Sequence, residues 1–430
     1  MGSQPEDPRL PDASDASLVL THPTEAEKQE TWRLNHGEWG GALDLAAYLQ
    51  REPFLASTPL SANGGMTHWI LTETCPAGGQ DEKEENQGRR VLASCETLRK
   101  RVLYVPRDGG EVRDGLGYGI GSVYTYPQFR GKKYAARLLK ELGVALKTWP
   151  KEEQLRKTQE AKEAICSALW SDIGKRFYAS KGWPVFASEH IEFSSSSPSA
   201  SSGIASLFER SKLRADNASL TLTPVNASNL AQLCREDEAQ LRAQLVRHAR
   251  DTGRAAFAFA PEHDVFRWHW SREDFIASRV FPGRGPSEVR GMVATQPQAR
   301  IWAIWARHYG TDVTSDSTKN SLYILRLVVD DPSSSSSPLS TSANPTNPQA
   351  LQLAFNAVLH SAMDTAHDWH CGAVHLWNPP SVVRELVAGS GVSHSFVHRD
   401  VYSIPSMMWY GPEEEKGAVD WIANEKYCWC

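Results

Sequence analysis

The chain has 430 residues, of which 40% are hydrophobic and 23% charged, and its formal net charge is -5 at pH 7. These fractions are typical of a globular protein, and the length predicts two domains. The weakly acidic balance excludes a general basic surface for nucleic acid or an anionic membrane, and no run of ~20 apolar residues predicts a membrane-spanning helix. The seven Cys residues lack framework spacing, which predicts free thiols and a cytoplasmic location.

Polar, Ser-rich stretches separate the predicted elements. Residues 1–16 lack the apolar segment of a secretory signal and are predicted to be a disordered tail. A Ser-rich stretch at 194–216 is predicted to be a linker between domains at 17–193 and 217–430, because periodic structure occurs on both sides of it. Two further polar stretches, predicted to be surface loops within these domains, begin at Gly78 and Ser333.

The first domain is expected to alternate strands and helices. Apolar and β-branched runs predict strands at Leu18–Thr21, His68–Thr74, Leu92–Val105, Gly119–Tyr126 and Ile165–Ser171. Helices are predicted at Thr24–Asn35, at Leu43–Arg51, in the segment that begins at Tyr134, and at Lys175–Ser180. Thr24 is the expected N-cap of the first helix, with Glu27 completing a capping box.

The second domain opens with LTLTPVNASNLAQLC, which resembles LVLTHPTEAEKQETW of the first in spacing and character. Later strands are predicted at Ala256–Ala260, Arg300–Tyr309, Leu322–Asp330, Ala373–Asn378 and Ser395–Ile404, with a long helix from Pro348 to about Trp369. The expected fold class is therefore α+β (α/β), with a mixed sheet flanked by helices in each half. A degenerate copy of the first fold is one interpretation of the second.

One segment, SVYTYPQFRGKKYAARLL, places a strand, a tight turn and a helix start in succession. The first amides of a helix lack intrahelical partners and lie at the positive end of the helix dipole, so they can bind a pyrophosphate. Gly131 allows close approach of the backbone, and Arg130, Lys132 and Lys133 add positive charge. The alternative interpretation is a basic, solvated turn.

QFRGKKYAARLL resembles the acetyl-coenzyme A (acetyl-CoA) loop of the GNAT superfamily of N-acetyltransferases, whose pattern is Gln/Arg-x-x-Gly-x-Gly/Ala. Gln128 and Gly131 match this pattern, and Lys133 departs from it at the sixth position. The resemblance implies that the amides of 130–135 hold the pyrophosphate and that 123–125 bind the pantetheine arm. The implied acetyl-CoA residues are Val123, Tyr124, Thr125, Gln128, Arg130, Gly131, Lys132, Lys133, Tyr134, Ala135 and Phe177.

Downstream, SDIGKRFYASKGW is similar to the Phe-Tyr-x-x-x-Gly-Phe element of the same superfamily, with Trp183 in place of the last Phe. The chain also resembles the fungal lysine N6-acetyltransferase family, through THPTEAEKQETWRLNHGEWGGALDLAAYLQRE and IPSMMWYG. This second resemblance implies a distinctive C-terminal domain that shapes the substrate pocket. It also implies acetylation of the side-chain amine of free lysine, as in lysine catabolism.

Acetyl transfer needs a neutral amine and a proton for the departing thiolate. The resemblance makes Tyr178 the expected acid, against the alternative of a core aromatic. Glu96 is a candidate base, and Glu38 and Trp39 are candidate substrate contacts, although either carboxylate also fits an ordinary exposed position. Two other functions stay open: a protein lysine acetyltransferase, and a non-catalytic acyl-CoA sensor or interaction module.

A free amino acid also carries a carboxylate, which favours an arginine partner. Arg300, Arg307 and Arg326 are candidates because they lie on predicted strands. The HDWHC segment at 367–371 places two His residues near a Cys but lacks a fourth zinc ligand, so no metal is predicted.

Overall fold

The computed structural model describes residues 10–74, 89–149, 164–194, 219–297, 299–311, 317–330 and 347–429. Within these ranges the strands form two mixed sheets, of eight and seven strands. Nearly all of the predicted linker and most of the two predicted polar loops lie outside the described residues, as do residues 1–9 of the predicted tail. No described helix combines the length and the apolar character needed to span a membrane.

Strands occupy most of the segments in which the sequence predicts them. In chain order they are β1 (Leu18–Thr21), β2 (Met66–Glu73), β3 (Ala93–Val105), β4 (Arg113–Thr125), β5 (Ala164–Ser171), β6 (Glu189–Ser194), β7 (Thr221–Pro224), β8 (Ala255–Phe259), β9 (Gly291–Gln296), β10 (Ala299–Tyr309), β11 (Asn320–Val329), β12 (Ala373–Trp377), β13 (His394–His398), β14 (Ile404–Trp409) and β15 (Val419–Trp421).

The helices cover both sheets. They are α1 (Glu25–Trp39), α2 (Leu45–Ala56), α3 (Tyr134–Lys147), α4 (Arg176–Ala179), α5 (Leu230–Thr252), α6 (His263–Val280), α7 (Pro348–Asp368) and α8 (Ser381–Gly389). The predicted capping box of α1 is confirmed, since the Thr24 hydroxyl accepts from the Glu27 amide and the Glu27 carboxylate accepts from the Thr24 amide. The sequence pattern did not predict α6, α8, β6, β9 or β15.

The first sheet has the order β1-β2-β3-β4-β5-β14, with β8 beside the far end of β3 and β15 beside β8. Neighbouring strands are antiparallel, except for the parallel pairs β4/β5 and β8/β15. The second sheet has the order β13-β6-β12-β11-β10-β9-β7, with one parallel pair, β11/β12. The mixed α/β class predicted from the sequence is confirmed.

Strand pairing does not follow the predicted division near residue 194. β6 of the first half lies between β12 and β13 of the second sheet, and β8, β14 and β15 of the second half belong to the first sheet. The single strand predicted at Ser395–Ile404 is wrong, because it is two strands in different sheets. Between them Ser403 adopts a left-handed φ of 52°, where the chain crosses from one sheet to the other.

Residues 10–16 lie against α3, in contrast to the disordered tail predicted for them. The Tyr134 hydroxyl donates to the Pro11 carbonyl at 2.6 Å, and the Arg137 guanidinium donates to the Ala13 carbonyl at 2.7 Å. Because α3 follows the predicted pyrophosphate loop, these contacts help to fix the start of that helix. Hydrogen bonds from helix side chains to the carbonyls of a distant segment depend on the tertiary structure, so residue composition does not reveal them.

One core cluster joins the two sheets. It contains Tyr104 and Trp170 of the first sheet together with Trp302 and Trp377 of the second, all buried. Such large aromatic side chains supply much buried apolar area, so the two sheets pack as one unit. α6 lies against β10 and also contacts α2, which places it between the two sheets.

We expect the buried Glu273 carboxylate of α6 to be required for this packing. It lies 2.6 Å from the Arg290 guanidinium, accepts the Arg307 amide at 3.1 Å, and pairs with the Arg307 guanidinium. Glu273→Gln leaves the buried Arg307 cation without its carboxylate and Arg290 with Asp274 alone, so the free energy of unfolding should fall by about 3–5 kcal/mol. Chemical denaturation measures this change. Glu413→Gln is the control, because that side chain is 82% exposed, and equal losses in both variants would contradict the prediction.

Candidate active site

β4 and β5 run side by side for only part of their lengths. Their last paired residues are Ile120 and Leu169. Beyond that point β5 stays paired with β14, whereas β4 stays paired with β3 as far as Thr125. The edge of residues 121–125 that faces β5 therefore has no neighbouring strand in the described chain. We call this opening the β4/β5 gap, and its unpaired backbone groups can bind an extended ligand in the manner of an added strand.

A β-bulge lies at the start of the gap. Ser94 is opposite Tyr124 and Glu96 is opposite Gly121, so β4 contains one extra residue there. Ser122, within the bulge, has a left-handed φ of 53°. A bulge bends its strand and redirects its groups. The predicted pantetheine residues, Val123, Tyr124 and Thr125, follow directly and are half-buried.

The predicted pyrophosphate loop lies between this strand and α3. Gly131 has a φ of 83°, and Lys133, the N-cap of α3, has a φ of 67° and no side-chain capping bond. Among the described residues no acceptor pairs with the amides of Gly131, Lys133, Tyr134 or Ala135. The Arg130 amide is different, because it donates to the Pro127 carbonyl at 3.3 Å. The geometry therefore suits an anion bound at 131–135.

The side chains of this loop have different environments. Gln128 and Lys133 are exposed, and Lys132 is half-buried. The Arg130 guanidinium donates to the Thr125 carbonyl at 3.2 Å and lies 3.9 Å from the Glu38 carboxylate. Tyr134 is buried in the core beneath α3, so its amide and not its ring is available to a ligand.

Tyr178 and Phe177 lie on α4, just after β5. Tyr178 is 8% exposed and packs in a cluster with Cys95 and Trp183, while the Phe177 ring meets it edge-on at 5.1 Å. No described residue forms a hydrogen bond with its hydroxyl. Burial, with smaller contributions from Asp172 and Cys95, raises the pKa of Tyr178 well above its ordinary value. The phenol is therefore protonated at neutral pH and can act as a donor.

Glu96 lies on β3 and faces α1. It accepts a hydrogen bond from Trp32 Nε1 at 3.3 Å and one from the Ser122 hydroxyl at 3.3 Å, and His68 Nε2 lies 3.2 Å away. Burial opposes ionisation, but the bonds from His68, Trp32 and Ser122 hold the pKa of Glu96 below its ordinary value. A bond to Ser122 links this carboxylate to the bulge at the β4/β5 gap.

Two adjoining cavities lie beside the gap, between the two sheets. The smaller, of about 100 Å³, is lined by Glu96, Ser122 and Glu52 among others. The larger, of about 290 Å³, is lined by Glu38 and by residues of β10 and β11. Both are lined by Trp39, Arg272 and Trp429, so we treat them as one cleft and call it the acceptor cleft. It brings together the predicted residues Glu38, Trp39 and Glu96.

The three arginines that are candidates for binding a substrate carboxylate already pair with carboxylates of the protein. Arg300 pairs with Glu236 and Asp330, Arg307 with Glu273, and Arg326 with Asp237 and Glu425. These pairs are buried or nearly so, and they hold helices and loops against the second sheet. The sequence does not reveal these ion pairs, because each arginine lies far along the chain from its carboxylate partners.

Arg272 on α6 is a cleft residue that the sequence analysis missed. Its guanidinium donates to His308 Nδ1 at 3.2 Å and lies 5.7 Å from the Trp429 ring. No carboxylate of the described chain lies within ion-pair distance of it. Burial, followed by the nearby charge of Arg51, lowers the pKa of Arg272 to about 9. Phe266, Trp270 and Ala277 are separated by four and seven residues, a spacing that would have predicted the helix, although not the unpaired charge.

The second sheet has a similar parallel pair, but its gap is filled from within. Pairing of β11 with β12 ends at Ile324, and beyond it the Leu327 amide donates to the Glu425 carboxylate at 2.9 Å. The start of α7 is capped by Asn347, whose side chain accepts from the amides of Gln349 and Ala350. The acidic and Ser-rich segment that follows β11 in the sequence lies mostly outside the described residues, at 331–346.

Cys371 belongs to the HDWHC segment at 367–371, which was considered as a zinc site. Cys371 is buried, and its thiol donates to the Trp369 carbonyl at 3.8 Å. A different group, His190, Glu192 and His375, places three potential ligand atoms within 4.8 Å of one another. Burial, His190 and the cations Lys426 and Arg399 lower the pKa of His375 to about 3. Those neighbouring cations oppose binding of a metal ion at this group.

Comparison with known proteins finds relatives by sequence and solved structures with which the chain aligns. A lysine acetyltransferase of Yarrowia lipolytica is 29% identical over 171 residues, which are 38% of this chain and 39% of that protein. Uncharacterized protein YGR111W of Saccharomyces cerevisiae is 24% identical over 281 residues, covering 62% and 66% of the two chains. The matches thus span less than two thirds of either relative. The crystal structure of a GCN5-related N-acetyltransferase from Kribbella flavida aligns with a TM-score of 0.45 and 13% identity, over 91% of this chain and 70% of that chain.

A family model described as the LYC1 GNAT-like C-terminal domain matches residues 207–430, just over half of the chain. This match includes α6, β10 and β11, which form one side of the acceptor cleft. The GNAT resemblance found in the loop at 128–139 is therefore confirmed by an independent part of the chain. The protein belongs to the family that carries the LYC1 GNAT-like C-terminal domain.

Proposed function

We propose that the protein transfers the acetyl group of acetyl-CoA to an amine, and that its acceptor is the side-chain amine of free lysine, as in lysine catabolism. The observation that carries this proposal is the β4/β5 gap, which has unpaired amides on one side and the acceptor cleft with Glu96 beside it. The name of the Yarrowia lipolytica relative, a lysine acetyltransferase, supports the choice of acceptor.

The gap and the loop fit acetyl-CoA as the donor. The amides at 131–135 would hold its diphosphate, with Lys132 and Lys133 adding positive charge. Val123 to Thr125 would bind the pantetheine arm, and the Thr125 hydroxyl is buried without a partner in the described chain. A Cβ added at Gly131 would meet no atom within 4 Å, which leaves room for a phosphate. Bound there, acetyl-CoA supplies a thioester as the acyl donor.

Glu96 would receive the acceptor amine. A lysine side chain is protonated at neutral pH, so it must lose a proton before it attacks. Hydrogen bonds keep the Glu96 carboxylate ionised. The carboxylate would therefore attract the ammonium group and accept its proton, directly or through water. Amides of 123–125 on the unpaired edge of β4 would then donate to the oxygen of the tetrahedral intermediate.

Tyr178 would donate a proton to the departing thiolate. The residue follows β5, on the opposite side of the gap from the bulge in β4. Its raised pKa keeps the hydroxyl protonated, which suits a donor and excludes a role as base at neutral pH. Phe177, packed against the Tyr178 ring, would hold that ring in place.

A small acceptor fits the cleft better than a protein does. Trp429 and the α6 residues Trp268 and Arg272 line the smaller cavity, whose volume of about 100 Å³ suits a small molecule beside Glu96. A non-catalytic sensor would not need an ionised carboxylate beside the donor site. The free cysteines of the described chain are buried, which fits the predicted cytoplasmic location.

The direct test is release of free thiol when the purified protein is mixed with acetyl-CoA and an amine. We expect turnover with free lysine and at least tenfold lower kcat/KM with a lysine-containing peptide, because the cleft admits a small molecule. The product with lysine should carry the acetyl group on the side-chain nitrogen, which mass spectrometry identifies. Turnover on peptides alone would reject lysine as the acceptor, and binding without turnover would favour the sensor.

Tyr178→Phe should lower kcat by on the order of a hundredfold and leave the Kd for acetyl-CoA within about threefold of the wild type. The phenol acts on the leaving group, so the loss appears in turnover and not in binding. Steady-state kinetics and calorimetry measure the two quantities. Tyr402→Phe is the matched control, since Tyr402 is 67% exposed. A near-normal kcat in Tyr178→Phe would remove the residue from the mechanism.

Gly131→Glu should weaken acetyl-CoA binding by on the order of a hundredfold or more, because it places a negative charge where the diphosphate is expected. Gly109→Glu is a close control. Gly109 has a φ of 81°, against 83° for Gly131, and a Cβ at either position meets nothing within 4 Å. Backbone strain should therefore destabilise both variants similarly. If both variants bind acetyl-CoA as the wild type does, the donor site lies elsewhere.

A further inference from the structure

We propose that Arg272 binds the α-carboxylate of the acceptor, so that the protein selects free amino acids and rejects amines without that carboxylate. This inference rests on the proposed function, because it assigns one end of the acceptor in the acceptor cleft. Arg272 lies on α6, within the family domain that forms one wall of that cleft.

The first support is that Arg272 is an unneutralised cation. Its hydrogen-bond partner is the neutral ring nitrogen of His308, and an aromatic ring of Trp429 lies nearby. Removing a charge from water is costly unless an opposite charge accompanies it. Arg307 on β10 and Arg326 on β11, by contrast, both have carboxylate partners. A ligand anion would give Arg272 the partner that the described chain does not.

The second support is the charge arrangement of the cleft. Arg51 is also close, but Glu52 accepts from its Nε at 2.9 Å and its Nη1 donates to the Trp39 carbonyl at 3.3 Å. Arg51 and Glu52 therefore neutralise each other. The groups left to act on a ligand in the smaller cavity are then the Arg272 cation and the Glu96 anion. Their charges are opposite to those of the two ends of lysine.

The third support is the surface of the smaller cavity. Its apolar lining includes Leu55, Met66 and Trp268, which suit a chain of methylene groups. An aliphatic amine with a carboxylate at its far end would thus meet an acid at one end, an apolar wall along its length and a guanidinium at the other. Lysine has this pattern, whereas a lysine residue within a peptide has a neutral amide in place of the carboxylate.

Arg307 and Lys426 also line the larger cavity. Arg307 already pairs with Glu273, and the position of Lys426 makes it a weaker candidate. Its ammonium lies 3.8 Å from the Trp429 ring, 4.3 Å from the Trp377 ring and 4.6 Å from the Tyr323 ring. These rings surround it by cation–π contacts. An arginine also matches a carboxylate better, because its planar guanidinium donates two parallel bonds.

The experiment compares three acceptors, lysine, lysinamide and 1,5-diaminopentane, by thiol release from acetyl-CoA. The last two retain the side-chain amine but lack the carboxylate. For the wild type we expect kcat/KM with lysine to exceed that with either analogue by on the order of a hundredfold. Arg272→Ala should lose that factor for lysine and keep the wild-type rate on both analogues within about threefold. Arg272→Lys should fall between the two.

Arg279→Ala is the matched control, because Arg279 is exposed on the same helix and stacks on Phe275 at 3.7 Å. It should retain the wild-type preference for lysine. Retained activity of Arg272→Ala on the analogues also reports that the variant is folded. Equal loss on all three acceptors would overturn the carboxylate site, as would a wild type that does not distinguish them. Absence of thiol release by the wild type on every amine would instead overturn the proposed function itself.

Discussion

The parting of β4 and β5 beyond Ile120 is the constraint on which the candidate site depends. A parallel pair that stayed together would satisfy the amides of 121–125 with strand bonds and close the sheet. Instead, the bulge at Ser122 turns β4 away, and β5 is retained by β14. The same bulge places the Ser122 hydroxyl on Glu96, so the opening of the sheet and the orientation of the candidate base have a common origin. The unpaired amides at the start of α3 then extend this polar edge toward solvent.

The second sheet demonstrates what happens when the same arrangement is closed. It has a comparable strand order and one parallel pair. Here, however, the Glu425 carboxylate accepts a hydrogen bond from the Leu327 amide, and Asn347 caps α7. Glu425 is itself held by Arg326, which also pairs with Asp237. One half of the chain thus leaves its gap open to a ligand, and the other fills the equivalent gap with ion pairs. The exchange of β6 and β14 between the sheets holds the halves together, and the acceptor cleft lies between them.

The sequence predicted the local structure of those segments of the candidate site that neighbouring residues determine. Gly131, the Phe177-Tyr178 pair and the capping box of α1 lie in short segments whose structure follows from neighbouring residues, and each lies where the pattern indicates. Strand exchange was not predictable, because Ser395–Ile404 contains no Gly or Pro to mark where one strand ends and the next begins. Arg272 was missed for a related reason. Whether an arginine is paired depends on residues far away in the chain, and the arginines considered from the sequence all have such partners.

Specificity in such a cleft depends on which charges the protein leaves without a partner. A buried group that is satisfied internally contributes little to the choice of ligand, whereas an unsatisfied one penalises every ligand that fails to pair with it. Arg51 and Glu52 satisfy each other, so they shape the cleft without selecting its occupant. No carboxylate of the described residues lies within ion-pair distance of Arg272, and burial, together with the nearby Arg51, disfavours its charge. An acceptor with a carboxylate relieves that cost, and one without it leaves the cost in place. With Arg272 as the carboxylate partner that we propose, the acceptor would therefore be selected mainly by an interaction that the protein lacks until the acceptor binds.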